Sequence, residues 1–207
     1  MLYYNTIEKS TLELLRQLQN AEMFHPLRLV GGTNLALQIG HRISIDLDLF
    51  GVLNEEGIDI NASLKKIGNV TQLKNSKNIN IYLLNGVKLD LVNYPYPWLE
   101  DVVVQDGLRL AHKNDIAAMK VAAITGRGTK KDFIDIYFLL KEMPLAKMLE
   151  LYQKKYHDGS LFMALKSLIF FDDAEEEELP AMLMPVSWSS VKSTILLAYR
   201  DFEKDVR

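Results

Sequence analysis

The chain contains no cysteine. That excludes disulfides, thiolate nucleophiles and cysteine-bound zinc, and it is compatible with a reducing compartment. No apolar run approaches the ~18 residues that span a bilayer, so no membrane partner is expected. The N-terminal Met1-Leu2-Tyr3-Tyr4-Asn5 lacks the basic region and apolar stretch of a signal peptide. A cytoplasmic protein is the expectation. A large excess of one charge is also missing: the net charge is −3, so the whole chain is no strong polyanion binder. No repeat or low-complexity linker marks a boundary. What remains is an ordinary globular composition, 48% hydrophobic and 25% charged over 207 residues. That length suits one large domain or two small ones sharing an interface.

The charge is nevertheless uneven. Residues 111–131 carry Lys113, Lys120, Arg127, Lys130 and Lys131 against Asp115 alone, and would be the surface offered to RNA or nucleotide. Residues 172–178 carry six carboxylates and read as a solvated loop or helix start.

Apolar spacing near 3.6 predicts a helix over 6–22. Leu27–Val30 reads as a short strand running into Gly31-Gly32, and Thr33–Ile39 as a helix ending at Gly40. Residues 43–50 alternate, with Ile43, Ile45, Leu47 and Leu49 on one face and Ser44, Asp46 and Asp48 on the other, which predicts a half-buried strand. A helix over 62–67 and a strand over 70–73 follow. Residues 79–84 and 87–92 alternate around Asn85-Gly86, whose type favours the positive φ that a two-residue hairpin turn demands. From Asn114, a plausible N-cap, the pattern turns helical to Thr125, then over 130–142, from Pro144, and at 160–170 and 187–204.

Two carboxylates on one strand face repel, and a cation relieves the cost. Oxygen donors suit Mg²⁺ or Mn²⁺ better than zinc. Asp90 lies on the predicted hairpin strand, with Lys88 on its face and Val87, Leu89 and Leu91 opposite. Pairing of that strand beside 43–50 would make Asp46, Asp48 and Asp90 converge. Two metal ions about 3.5–4 Å apart could then activate an attacking oxygen and stabilise leaving pyrophosphate. A D-x-D alone equally describes solvent-facing strand residues. The preceding strand, Gly31-Gly32 turn and helix N-terminus strengthen the functional reading, because exposed amides and absent Cβ atoms suit a phosphate, with Thr33 adding a hydroxyl. Ser44 and Arg42 join the nucleotide-binding candidates, although Arg42 and His41 equally suit a surface turn. His25, His112 and His157 show no metal-ligand spacing. Lys120 and Arg127 stand seven residues apart, about two helical turns, and could hold a triphosphate. Asp132 and Asp135 share a helix face and could orient them, or all four could form an inter-helix salt-bridge network. Both readings stay open.

V-G-G-T-N-L-A-L-Q-I-G-H-R-I-S-I-D-L-D-L-F (Val30–Phe50) resembles the first motif of the AbiEii/AbiGii-type nucleotidyltransferases. These are toxin components of type IV toxin–antitoxin and abortive-infection systems with the DNA polymerase beta-like fold. K-L-D-L-V (Lys88–Val92) is similar to the family's second motif, and residues 115–140 resemble its later helical motif. Gly31-Gly32 stands where many members of the wider superfamily have Gly-Ser. The chain also looks short after residue 140 beside full-length family toxins, so its substrate-recognition elements are expected to be reduced or different.

The resemblance implies an α/β (α+β) nucleotidyltransferase fold, with a mixed sheet flanked by helices over 1–110 and a helical region over 111–207 packed against it. It implies Mg²⁺- or Mn²⁺-dependent transfer of a nucleoside monophosphate from an NTP to a hydroxyl of tRNA or protein, and a cognate antitoxin. Asp46, Asp48 and Asp90 would be catalytic metal ligands. Lys120 and Asp132 would join them in catalysis. Gly31, Gly32, Thr33, Arg42, Ser44, Lys120 and Arg127 would bind nucleotide. The alternatives are a non-catalytic nucleotide-binding or interaction module, and a transferase acting on a small molecule such as an antibiotic.

Overall fold

The structure, a computed structural model, describes residues 1–53 and 57–206. Its internal contacts divide it into two units. One comprises Met1–Tyr96 and Asp101–His112, and the other Pro97–Glu100 and the chain from Lys113 onward. Pro97–Glu100 groups with the helices because its backbone is bonded there. The Leu99 and Glu100 N–H groups donate to the Asp115 carboxylate at 3.0 and 3.2 Å, and Lys155 Nζ donates to the Pro97 carbonyl at 2.7 Å.

The first unit is built on a seven-stranded mixed sheet in the order β3-β4-β5-β2-β1-β7-β6. The strands are β1 (Arg28–Val30), β2 (Leu47–Gly51), β3 (Val70–Asn75), β4 (Ile79–Leu84), β5 (Val87–Asn93), β6 (Val103–Gln105) and β7 (Leu108–Leu110). β2 runs parallel to β5 and β1 parallel to β7; the other pairings are antiparallel. Among the described residues α-helices α1 (Lys9–Asn20), α2 (Gly31–Ile39) and α3 (Gly57–Ile67) accompany the sheet. Period-two alternation turns Leu47, Leu49, Leu89, Leu91, Tyr82 and Leu84 inward, where they meet Leu14, Leu15 and Leu18 of α1 in one apolar core.

The turn chemistry holds where it was read. Asn85 and Gly86 take φ of 51° and 83°, the pair of positive values a type I′ hairpin needs. The same signal recurs unread at Asp106-Gly107, φ 52° and 79°, which joins β6 to β7. One strand is shorter than its alternation suggested. β2 begins at Leu47, and ahead of it Ser44 is buried while Ile45 is 63% exposed, the reverse of the expected pattern. Hydrogen bonds outweigh hydropathy there. The Ser44 N–H donates to the Thr6 carbonyl at 2.9 Å, Thr33 donates its hydroxyl to the Asp46 carbonyl, and Ser44 Oγ lies 2.9 Å from Thr33 Oγ1.

The second unit contains α4 (Lys113–Gly126), α5 (Lys130–Leu139), α6 (Leu145–Lys155), α7 (Leu161–Leu168), the short α8 (Asp172–Glu175) and α9 (Trp188–Val206). α4 packs against α5, α6 and α7, which is why its residues are buried around most of its circumference. The acidic run opens α8 with its carboxylates exposed, as the sequence suggested, and two of its residues are bonded within the unit. The Lys130 N–H donates to Glu177 Oε2 at 2.8 Å, its ammonium donates to the Glu175 and Glu177 carbonyls, and Trp188 Nε1 donates to Glu175 Oε2 at 2.9 Å. Among the described residues no helix is long and apolar enough to cross a membrane.

Candidate active site

Parallel pairing of β2 with β5 sets Asp48 directly beside Asp90 in register. Neighbouring strands lie about 4.8 Å apart, and paired residues project from the same face, so the two carboxylates adjoin. Their chain neighbours Leu47, Leu49, Leu89 and Leu91 are wholly buried on the opposite face, which fixes the register: a slip of one residue would bury both charges. Asp46 is half-buried one residue ahead of β2, and its carbonyl is held by Thr33 rather than by the ladder.

Gly31 follows Val30, the residue paired with Asp48 across β1 and β2. It takes φ +69°, and a Cβ added there would overlap Asp48 Oδ2. Glycine is required on both counts. A Cβ on Gly32 would overlap the Arg42 guanidinium and press on Ser44 Oγ. The start of α2 thus rests against Asp48 on one side and Arg42 on the other. Val30, its N-cap, has an apolar side chain and caps none of the first-turn amides of α2. Arg42 is 4% exposed and donates Nη1 to the Ile43 carbonyl at 3.1 Å. Thr33, at 1%, spends its hydroxyl on residues 44 and 46. Thr33, Arg42 and Ser44 therefore line the underside of the Gly-Gly turn, where they shape it.

The sequence placed Lys88 on the Asp90 face without giving it a role. Its ammonium lies 2.7 and 2.8 Å from the two Asp90 oxygens. Partial burial disfavours its charge, but the bond to Asp90 and the fields of Asp90, Asp48 and Asp46 outweigh that, holding its pKa above the ordinary lysine value. All three carboxylates therefore act on one cation. Among the described residues no three acidic or histidine side chains already form a metal-holding group. The donors nonetheless fit a hard divalent ion: they are anionic oxygens, and their combined field already holds a cation.

In the helical unit Lys120, Arg127, Asp132 and Asp135 are brought together. Lys120 Nζ lies 3.0 Å from Asp132 Oδ1 and 2.6 Å from Asp135 Oδ2, with its side chain 5% exposed. Arg127 clamps Asp132 through Nε and Nη2 at 2.8 and 3.1 Å, and Thr129 donates to Asp132 at 2.7 Å. Burial pushes the Asp132 carboxyl up, yet Lys120, Arg127 and Thr129 together hold it well below the usual carboxylate range. Of the two readings left open for these four residues, the geometry shows the ion-pair network. Only Arg127 among them reaches outward, with 58% of its side chain exposed. Elsewhere in the basic segment Lys113 pairs with Glu142, and the Lys130 ammonium donates to the Glu175 and Glu177 carbonyls. A second buried pair escaped the sequence reading. Lys155 and Asp115 are both wholly buried with 2.7 Å between them, and the Lys155 ammonium lies 4.6 Å from the Trp98 ring centre. The signal available was a lone acid in a basic, otherwise apolar helix.

A family model described as nucleotidyl transferase AbiEii toxin, type IV TA system, matches residues 13–80 and 71–205. An uncharacterized protein, aq_aa25, of Aquifex aeolicus strain VF5 is 35% identical over 177 residues, covering 83% of this chain and 86% of that one. Two solved structures share the fold with a TM-score of 0.60. One is a proposed nucleotidyltransferase from H. pylori, 18% identical and covering 95% of this chain and 98% of its own. The other is the nucleotidyltransferase toxin MenT4 of Mycobacterium tuberculosis H37Rv, 13% identical and covering 90% and 79% respectively. The expected mixed-sheet nucleotidyltransferase fold is therefore borne out. On the match along nearly its whole length, the chain belongs to the AbiEii nucleotidyltransferase toxin family.

Proposed function

We propose that the protein transfers a nucleoside monophosphate from an NTP to a hydroxyl of an RNA or protein acceptor, as the toxin component of a toxin–antitoxin pair in the cytoplasm. The observation that carries this reading is the in-register pair Asp48 and Asp90, with the glycine start of α2 set against Asp48. Asp46, Asp48 and Asp90 would hold Mg²⁺ or Mn²⁺, which supplies Lewis-acid charge to the phosphates. The Gly31 and Gly32 amides face the triphosphate, where the α2 dipole favours negative charge. The acceptor oxygen attacks the α-phosphorus, its proton passing to the Asp90 carboxylate. The bond from the α-phosphorus to the bridging oxygen breaks, and pyrophosphate leaves. Arg42 and Thr33 keep the glycine turn and Asp46 in place. Within the helical unit, Arg127 presents an exposed guanidinium that Asp132 and, through it, Lys120 hold in place.

The test supplies each NTP, labelled at the α-phosphate, with Mg²⁺ and with total RNA or total protein. Label is expected in one of the two pools, and Asp48→Asn is expected to abolish it while the apo protein melts no lower than wild type, since the substitution relieves carboxylate repulsion. Wild-type turnover in a folded Asp48→Asn variant would sink the assignment. Label appearing only on an added small-molecule hydroxyl would favour the antibiotic-type reaction instead.

A further inference from the structure

Lys88 remains without a role in the reading above. It lies two residues before Asp90 on the same strand, so both side chains leave the same face about 7 Å apart. Its stem runs along the strand and sets the ammonium between the two Asp90 oxygens, 2.7 Å from one and 2.8 Å from the other. Near-equal distances put the charge on the bisector of the carboxylate, where a chelated cation would sit. The cluster explains why a cation is held there. Asp46, Asp48 and Asp90 would carry three negative charges on one sheet face, and close like charges destabilise one another. Lysine is suited to a removable counter-charge: it is a compact point charge on a flexible stem, without the fixed fork of arginine. The Lys88 side chain is 41% exposed, so its ammonium can return to water at little cost, whereas Asp90 at 20% stays with the sheet.

We propose that Lys88 is a built-in counter-cation of the carboxylate cluster, which a divalent ion must displace from Asp90 in order to bind. The inference rests on the reading of Asp48 and Asp90 as metal ligands. Lys88 then acts through Asp90 as a positioning residue. It keeps the apo site assembled and sets the metal concentration at which the site fills.

The experiment measures Mn²⁺ binding to the whole chain without nucleotide, counting unbound Mn²⁺ by electron paramagnetic resonance. Lys88→Met, which keeps most of the stem and removes the competitor, is expected to tighten Mn²⁺ binding about tenfold, equivalent to roughly one pK unit of interaction. Lys88→Gln should act likewise and serves if the Met variant does not fold. Lys88→Arg keeps the charge and should bind Mn²⁺ no more tightly than wild type. Melting gives a second readout: Lys88→Met should melt lower than wild type without metal and gain more from saturating Mn²⁺. Unchanged or weaker Mn²⁺ binding in both neutral variants overturns the counter-cation role, while the metal reading survives if Asp48→Asn loses the ion. If Asp48→Asn binds Mn²⁺ as wild type does, the metal reading fails and this inference falls with it.

Discussion

Lys120→Met separates a scaffold lysine from a substrate lysine. The four-residue cluster is neutral as it stands, with Lys120 and Arg127 against Asp132 and Asp135. Methionine keeps much of the stem's packing and removes the charge, leaving one uncompensated negative charge among side chains that are 0% exposed. Breaking a buried pair from one side costs about 3–5 kcal/mol. Asp132 retains Arg127 and Thr129, so the lower end applies, near ~3 kcal/mol. For a chain of this size that is a melting-temperature loss of roughly 6–12 °C. Lys120→Met with Asp135→Asn restores neutrality and should recover at least about 1 kcal/mol over the single variant, a coupling that only neighbours show. The assay is urea and thermal unfolding of wild type, both singles and the double, beside transfer rates measured well below the melting temperature. A Lys120→Met protein that melts with wild type, yet loses transfer, would refute the argument and return Lys120 to the phosphates.

Three further outcomes are expected. Gly31→Ala meets both a positive φ and the Asp48 carboxylate, so it should lose more stability than Gly86→Ala, where φ is also positive but nothing lies within 4 Å of the added Cβ. The backbone cost alone is about 1–2 kcal/mol, and equal melting of the two variants would contradict the close approach. Lys155→Met removes the partner of buried Asp115 and the donor to Pro97, at a cost of roughly 3–5 kcal/mol. Hydrogen exchange at the Leu99 and Glu100 amides should accelerate, and unchanged protection there would count against Lys155 as the anchor of that segment. Asp132 has a depressed folded pKa, so its contribution is complete above the unfolded carboxylate value near ~3.9 and is lost as pH falls towards the folded one. Melting temperature should therefore drop with acidification below about pH 4 more steeply in wild type than in Asp132→Asn, and parallel slopes would refute the assignment.

Local chemistry was enough to read the elements that carry the site. Asn-Gly specified the β4–β5 hairpin because few residue types accept two consecutive positive φ values. Alternation of Leu89, Asp90 and Leu91 assigned the faces of β5, since a strand side chain can only point to one face or the other. A strand, two glycines, a helix and D-x-D in order marked out the candidate site. The sequence could not decide pairings that depend on residues far apart in the chain. Ser44 and Ile45 look like alternating strand residues until Thr33 and Thr6 supply hydrogen bonds that turn Ser44 inward. Lys120 reads equally as a phosphate ligand or an ion pair until α5 brings Asp132 and Asp135 within 3.0 Å. The register of β2 on β5, which sets Asp48 beside Asp90, joins strands some forty residues apart, and only closure of the whole sheet over one apolar core selects it. Charge gave the least guidance, because an ammonium is drawn equally to a phosphate or to a neighbouring carboxylate, and tertiary packing decides which one it meets.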